Sequence, residues 1–339
     1  MLAASADRRF SLLLAGALAG IVALGVATGY DASATPAPLH PPNARALVLP
    51  PPPIDPPRLL EPLLTIDLAE RFPDMAVTLA PPTRSLLPDS QIVSYYGNPA
   101  SAAMGILGAA DIETIADALA EQAARYDRLN GDIDVIPAIH LVYAVAQAQP
   151  TDNGLYLTYV DDATVQRYLT LTEERGMLLF LDLQIARSTV AAELEKILPY
   201  LRHPQVHLAL DPEFAVSGRA VPGAVIGSLN ADDIGDAQAM LQALVLEERI
   251  PPKLLMVHQF IDDMVVGGDA IQPYPDVALI IDMDGFGPPD VKRATYERYA
   301  ERPYAAHAAI KLFLQHDTDL MSERDVLRLE PTPAIVVYQ

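Results

Sequence analysis

The chain has 339 residues, 51% of them hydrophobic, enough for one large domain with appendages. Its 44 acids against 23 Lys and Arg leave a net charge of −21. That balance argues against a nucleic-acid partner, whose binding rests on basic groups neutralising phosphates. There is no cysteine, so thiol nucleophiles, disulfides, zinc–thiolate sites and iron–sulfur clusters are excluded.

Arg8 and Arg9 precede an uncharged apolar run from Phe10 to Thr28. This pattern predicts a signal peptide or membrane anchor over residues 1–30. The remainder is then exported, extracellular or at the cell surface, and touches a membrane only through this N-terminal segment. Small residues at Ala32, Ser33 and Ala34 suit cleavage. Residues 31–88 read as a proline-rich linker and lead-in, with Pro50 to Pro53 as its densest run. Such a stretch favours extended polyproline II and cannot build a helix.

From residue 89 to 339 the pattern becomes regular. β-type runs are predicted at Gln91 to Gly97, Asp134 to Leu141, Met177 to Asp182, Gln205 to Leu210, Lys253 to Val257, Val277 to Ile281, Ala309 to Leu314 and Ala334 to Tyr338. A minor strand is expected at Ala224 to Ile226. Between the runs lie helical segments with recognisable starts: Asp111, Asp161 or Asp162, Thr189, Asn230, Pro288, and Ser322 with Asp325. The segment from Asn230 to Glu248 spaces Ile234, Ala237, Leu241, Leu244 and Val245 for one helix face. Eight such runs in about 250 residues predict an α/β protein of the (β/α)8 barrel class. A helix from the segment before the first strand is expected to cover the gap after the last one. The first βα connection lacks the Gly-x-Gly-x-x-Gly pattern of a dinucleotide-binding sheet.

In such a barrel the site gathers at the C-terminal ends of the strands. Those ends carry Tyr95, Tyr96 and Asn98; His140; Asp182 and Gln184; Asp211 and Glu213; His258 and Gln259; Asp282 and Asp284; Lys311, Gln315, His316 and Asp317; and Tyr338 and Gln339. Each has an ordinary structural reading alone: a loop cap, a satisfied core histidine, or an Asp317–Lys311 pair. As a ring they mark a site.

Two carboxyls flanking a sugar bond can serve as acid and as nucleophile or base. Glu213 is the expected general acid, with Asp211 or Asp282 as its ionised partner. The two tyrosines can stack on a sugar. The chain has no tryptophan, which counts against a long polysaccharide cleft. No cofactor is required by this chemistry, and the expected ligand is a small molecule or glycan. A divalent metal held by Asp182, Asp211, Glu213, His258 and Asp282 is one alternative. A Schiff-base role for Lys311 is another. A non-catalytic barrel that only holds a surface ligand is the third.

The blocks Ser94–Pro99, His207–Phe214, Val257–Phe260 and Ile281–Gly285 resemble those of uncharacterised exported bacterial proteins with a glycosidase-like (β/α)8 barrel. The resemblance covers roughly 91–339 and implies the barrel, not an activity. Asp282-Met283-Asp284 is similar to the acidic strand motif of chitinase-type barrels. Its terminal Glu is missing, since Gly285, Phe286 and Gly287 follow, so substrate-assisted chitin chemistry is not expected.

Overall fold

The computed structural model describes residues 85–339. The expected signal or anchor, almost all of the proline-rich segment and the covering helix before the first strand lie outside the described residues. No helix among the described residues is long and apolar enough to cross a membrane.

Eight parallel strands close into a barrel: β1 (Ser90–Gly97), β2 (Asp134–Ala146), β3 (Leu178–Gln184), β4 (Val206–Asp211), β5 (Lys253–Gln259), β6 (Val277–Met283), β7 (His307–Leu312) and β8 (Ile335–Tyr338). Each pairs with the next in sequence. β8 then returns to β1, with Ile335 opposite Ile92 and Tyr338 opposite Tyr95. Helices α1 (Ile112–Asp127), α2 (Asp162–Arg175), α3 (Val190–Leu201), α4 (Ala231–Glu248), α5 (Pro289–Tyr299) and α6 (Glu323–Val326) follow β1, β2, β3, β4, β6 and β7. The β5–β6 connection has no α-helix, only short 3-10 turns at Asp262–Met264 and Gly268–Ala270 and a two-residue strand, Val265–Val266, paired in parallel with Leu229–Asn230. This is the (β/α)8 barrel read from the sequence.

The caps explain where the helices begin. Asp111, Asp161 and Thr189 accept the amides of Thr114, Thr164 and Ala192, while Asn230 and Ser322 each complete a reciprocal box with the acid three residues on. The expected strand at Ala224 to Ile226 is replaced by a single bridge between Pro222 and Val225. An unforeseen short strand, Leu157–Tyr159, runs antiparallel to the end of β2.

Both faces of the barrel wall are buried, so its strands read as continuous apolar runs. One face carries Leu141, Leu181, Leu208, Leu210, Ile281 and Leu312 against helix residues such as Leu119, Leu194, Ile197 and Leu241. The other fills the lumen with Ile92, Ala138, Phe180, Ala209, Met256, Ile280, Ala309 and Val337. Leu87, just before β1, packs into this lumen cluster.

Strand side chains alternate with a period of two, so the lumen series can be followed upward along each strand. Ala138 leads to His140, Phe180 to Asp182 and Gln184, and Ala209 to Asp211. Met256 leads to His258, Ile280 to Asp282, Ala309 to Lys311 and Val337 to Gln339. The lumen is thus mostly apolar in its lower layers, with His207 and Ser94 buried among the apolar side chains, and polar toward the C-terminal end.

Candidate active site

A pocket with a cavity volume of about 240 Å³ opens at that end. Its polar lining comes from Tyr96, Gln184, Asp211, Glu213, Asp284 and Lys311, and Phe214, Phe260, Phe286 and Phe313 form apolar wall. Asp211 is the last residue of β4, and Pro212–Phe214 form one 3-10 turn directly after it. The turn is locked by the Glu213 amide, which donates to Asp211 Oδ1 at 3.0 Å. The Glu213 carbonyl accepts the Gly227 amide at 2.6 Å, so the loop that returns from Ala215 is tied back beneath the acid. Arg187 further pins this loop through the Ala220 carbonyl, at 2.8 Å from Nη2.

Electrostatics divides the pocket's acids. Burial, and then the charges of Asp182 and Asp284, push Asp211 up to about 7. Burial, with Asp211 and Asp284 beside it, holds Glu213 well above the usual carboxylate range, although its surface remains partly exposed to the pocket. Burial also raises Asp284, against the pull of Lys311 and His258. Lys311 Nζ lies 3.2 Å from Asp284 Oδ2 and 3.6 Å from the centroid of the Tyr96 ring. Burial opposes its charge, but Asp284, Asp282, Asp211 and Asp182 together keep its pKa above the ordinary lysine value.

Beneath the pocket, fully buried, runs a chain of imidazoles and carboxylates. His140 Nε2 and His258 Nε2 approach the same oxygen, Asp182 Oδ2, at 3.1 and 3.0 Å. His258 Nδ1 lies 2.9 Å from Asp282 Oδ2 and 3.3 Å from Asp284 Oδ2. With acids at both nitrogens, and despite burial, His258 has a pKa well above the usual histidine value. Burial lowers His140, which Asp182 only partly offsets. Asp182 is held low: burial works the other way, but His258 and His140 outweigh it. Three buried atoms here have no hydrogen-bond partner among the described residues: His140 Nδ1, Asp182 Oδ1 and Asp282 Oδ1.

The residues expected from sequence therefore fall into three groups. Tyr96, Gln184, Asp211, Glu213, Asp284 and Lys311, with His316 and Gln339, line the pocket. His140, Asp182, His258 and Asp282 sit in the buried chain below it. The others point elsewhere. The Tyr95 hydroxyl donates to the Ala118 carbonyl on the helix side, and Tyr338 shares a 2.9 Å hydroxyl contact with Tyr126 of α1. Asn98 fastens its own loop through the Val142 carbonyl and the Ala100 amide. Gln259 donates to the Ile261 carbonyl.

Three readings are corrected by this geometry. Asp317 pairs with Lys292, at 3.0 Å, and not with Lys311. Lys311 is an ion-paired ammonium, which suits charge stabilisation and not Schiff-base attack. The expected five-residue metal set is divided, with Asp211 and Glu213 in the pocket lining and Asp182, His258 and Asp282 in the chain below. Beyond Phe214, sequence reasoning missed the phenylalanine wall, although Phe260 and Phe313 each directly follow a barrel strand. It also missed Lys292, which looks like any helix-surface lysine.

No family model matches this chain, and no curated protein matches it. The described residues form a (β/α)8 barrel with buried acids gathered near its strand ends, an arrangement compatible with a hydrolase.

Proposed function

We propose that the protein is an exported hydrolase that cleaves a glycosidic bond in a carbohydrate or cell-envelope glycan. The observation that carries this reading is that one phenylalanine-walled pocket is lined by Glu213, whose pKa burial holds well above the usual carboxylate range, and by Asp284, whose carboxylate is ion-paired with Lys311 at 3.2 Å. Glycoside hydrolysis needs such a division, one carboxyl protonated and one ionised. Glu213 gives its proton to the leaving oxygen as the glycosidic C–O bond breaks. In place of the Asp211 or Asp282 expected from sequence, of which the first is raised to about 7 and the second lies in the buried chain below, Asp284 supplies the negative charge that attacks the sugar carbon or activates the water. Asp211 holds the Glu213 amide and, when ionised, pushes the Glu213 pKa further up. The phenylalanines offer apolar faces to the C–H surface of a sugar ring. A pocket of this volume suits one or two sugar units more than a long chain.

The test is Glu213→Gln and Asp211→Asn on a panel of glycosides and envelope glycans. Loss of a general acid costs roughly 10²–10⁴-fold in rate, and Glu213→Gln should leave the melting temperature nearly unchanged. Full activity in both variants removes the assignment. Ligand binding without turnover in the wild type transfers the protein to the class of non-catalytic binding barrels.

A further inference from the structure

We propose that His140, Asp182 and His258 form a binding site for one transition-metal ion, with zinc the best fit. The site lies in the lumen beneath the pocket and stands independently of the glycosidase reading. The donor set is two imidazoles and one carboxylate, which suits zinc and its neighbours better than magnesium or calcium.

The donors already converge. Asp182 Oδ2 is 3.1 Å from His140 Nε2 and 3.0 Å from His258 Nε2, and all three side chains are fully buried. For ligands roughly 2.0–2.1 Å from zinc, donors spaced this way subtend an angle of roughly 95° at the ion. The second oxygen, Asp182 Oδ1, is buried with no partner among the described residues. An orphaned carboxylate oxygen in a dry interior is costly unless a cation or donor meets it.

The strongest observation concerns the far side of His258. Its Nδ1 lies 2.9 Å from Asp282 Oδ2. A metal-bound histidine almost always donates its other ring N–H to a carboxylate or carbonyl, which fixes the tautomer and aims the ligating lone pair. Asp282 does this here, and the Nε2 that remains points at Asp182. Without an ion, a second proton must occupy that nitrogen to separate a lone pair from a carboxylate. A divalent ion replaces that proton and adds one further positive charge. The side-chain geometry favours it, since Asp182 receives both imidazole nitrogens on one oxygen while its other oxygen, buried, meets no partner among the described residues.

The other nearby grouping, His258 Nδ1 with Asp282 and Asp284, is a poorer site. The Lys311 ammonium stands 3.2 Å from Asp284 Oδ2 and already supplies the cation there. An ion at the first site joins β2, β3 and β5 across the lumen. Tyr96, which lines the pocket, packs edge-on against both imidazoles, with ring centroids 4.9 and 6.0 Å away.

The experiment is a titration of chelator-treated full-length protein with Co²⁺ and then Zn²⁺. One equivalent of Co²⁺ should give visible d–d absorption, Zn²⁺ should displace it, and the melting temperature should rise. Affinity should increase with pH, because His258 must give up its Nε2 proton. His258→Gln should abolish the absorption. Asp282→Asn should weaken binding about 10–100-fold through loss of the orienting hydrogen bond. Asp211→Asn should leave the Co²⁺ spectrum in place. If His258→Gln does not fold, the wild-type titration, its pH dependence and Asp282→Asn decide the matter. No absorption and no thermal shift in the wild type at millimolar metal overturn the site. So does binding that survives His258→Gln, or binding indifferent to Asp282→Asn.

Discussion

Lys292 places its ammonium 3.0 Å from Asp317 Oδ2, with neither side chain exposed. The same ammonium donates to the carbonyls of Gly285 and Lys311 at 2.7 and 2.6 Å. Asp317 in turn accepts the amides of Gly287 and Phe313, both at 2.9 Å. One buried pair therefore fastens the loop after β6 to the loop after β7, and with them Asp284, Phe286 and Phe313.

Removing one partner of such a pair leaves an uncompensated buried charge. Asp317→Asn is expected to lower unfolding free energy by about 3–5 kcal/mol. Urea denaturation of wild type and variant checks this. A loss below about 1 kcal/mol, the ordinary worth of an exposed pair, shows that Lys292 finds water or another acid.

The acid at the end of β4 leaves a signature in stability. Burial raises Asp211 from the ordinary value, 3.8, to about 7 in the folded chain. Between those values the unfolded state has lost a proton that the folded state keeps. Asp211 therefore supports folding most fully below pH 4, and the support drains away as pH rises to about 7. Melting curves of wild type and Asp211→Asn from pH 4 to 8 should show the variant gaining on the wild type across that window and running parallel above it. Parallel curves throughout mean that Asp211 titrates normally.

Lys311 is expected to set the charge of Asp284. Lys311→Gln removes the ammonium 3.2 Å from that carboxylate, so ionisation of Asp284 becomes harder and its pKa rises. The acidic limb of the kcat/KM profile should move to higher pH; the alkaline limb, if Glu213 sets it, should move the same way but less, since Lys311 ranks behind burial and the neighbouring acids among the influences on Glu213. An unmoved acidic limb assigns that limb to another group.

Gly227 tests whether Glu213 is positioned by its loop. A Cβ there would sit 2.2 Å from the Ala215 carbonyl oxygen, a clash with backbone. Gly227→Ala must push the loop away and strain the hydrogen bond to the Glu213 carbonyl. Overpacking of this kind typically costs about 1–3 kcal/mol, and turnover should fall by more than that loss explains at a temperature where the variant stays folded. Unchanged turnover separates Glu213 placement from the loop.

Much of the architecture was legible because its causes are local. Apolar runs of strand length, and the caps at Asp111, Thr189 and Asn230, act within a few residues. The ring of polar strand ends was legible as a ring, but not which members face the lumen. Tyr95 and Tyr96 are equivalent as text. Only the register that turns Ile92 inward sends Tyr96 to the pocket and Tyr95 to the helices, and a one-residue slip would exchange them. Lys292 left no trace at all, since its partners lie on two loops that meet only after folding.

The closing seam of the barrel has a kinetic consequence. β1 and β8 are joined across almost the whole span of the described residues, and Gln91 reaches the Pro333 carbonyl over 242 positions. Contacts this distant carry the largest loop-closure entropy and form late. With the seam open, water reaches the lumen acids, and hydrated carboxyls are expected to titrate near their ordinary values. The raised proton affinities of Asp211, Glu213 and Asp284 depend on that burial, so proton uptake on refolding is expected to track barrel closure and to lag behind helix formation in stopped-flow with a pH indicator.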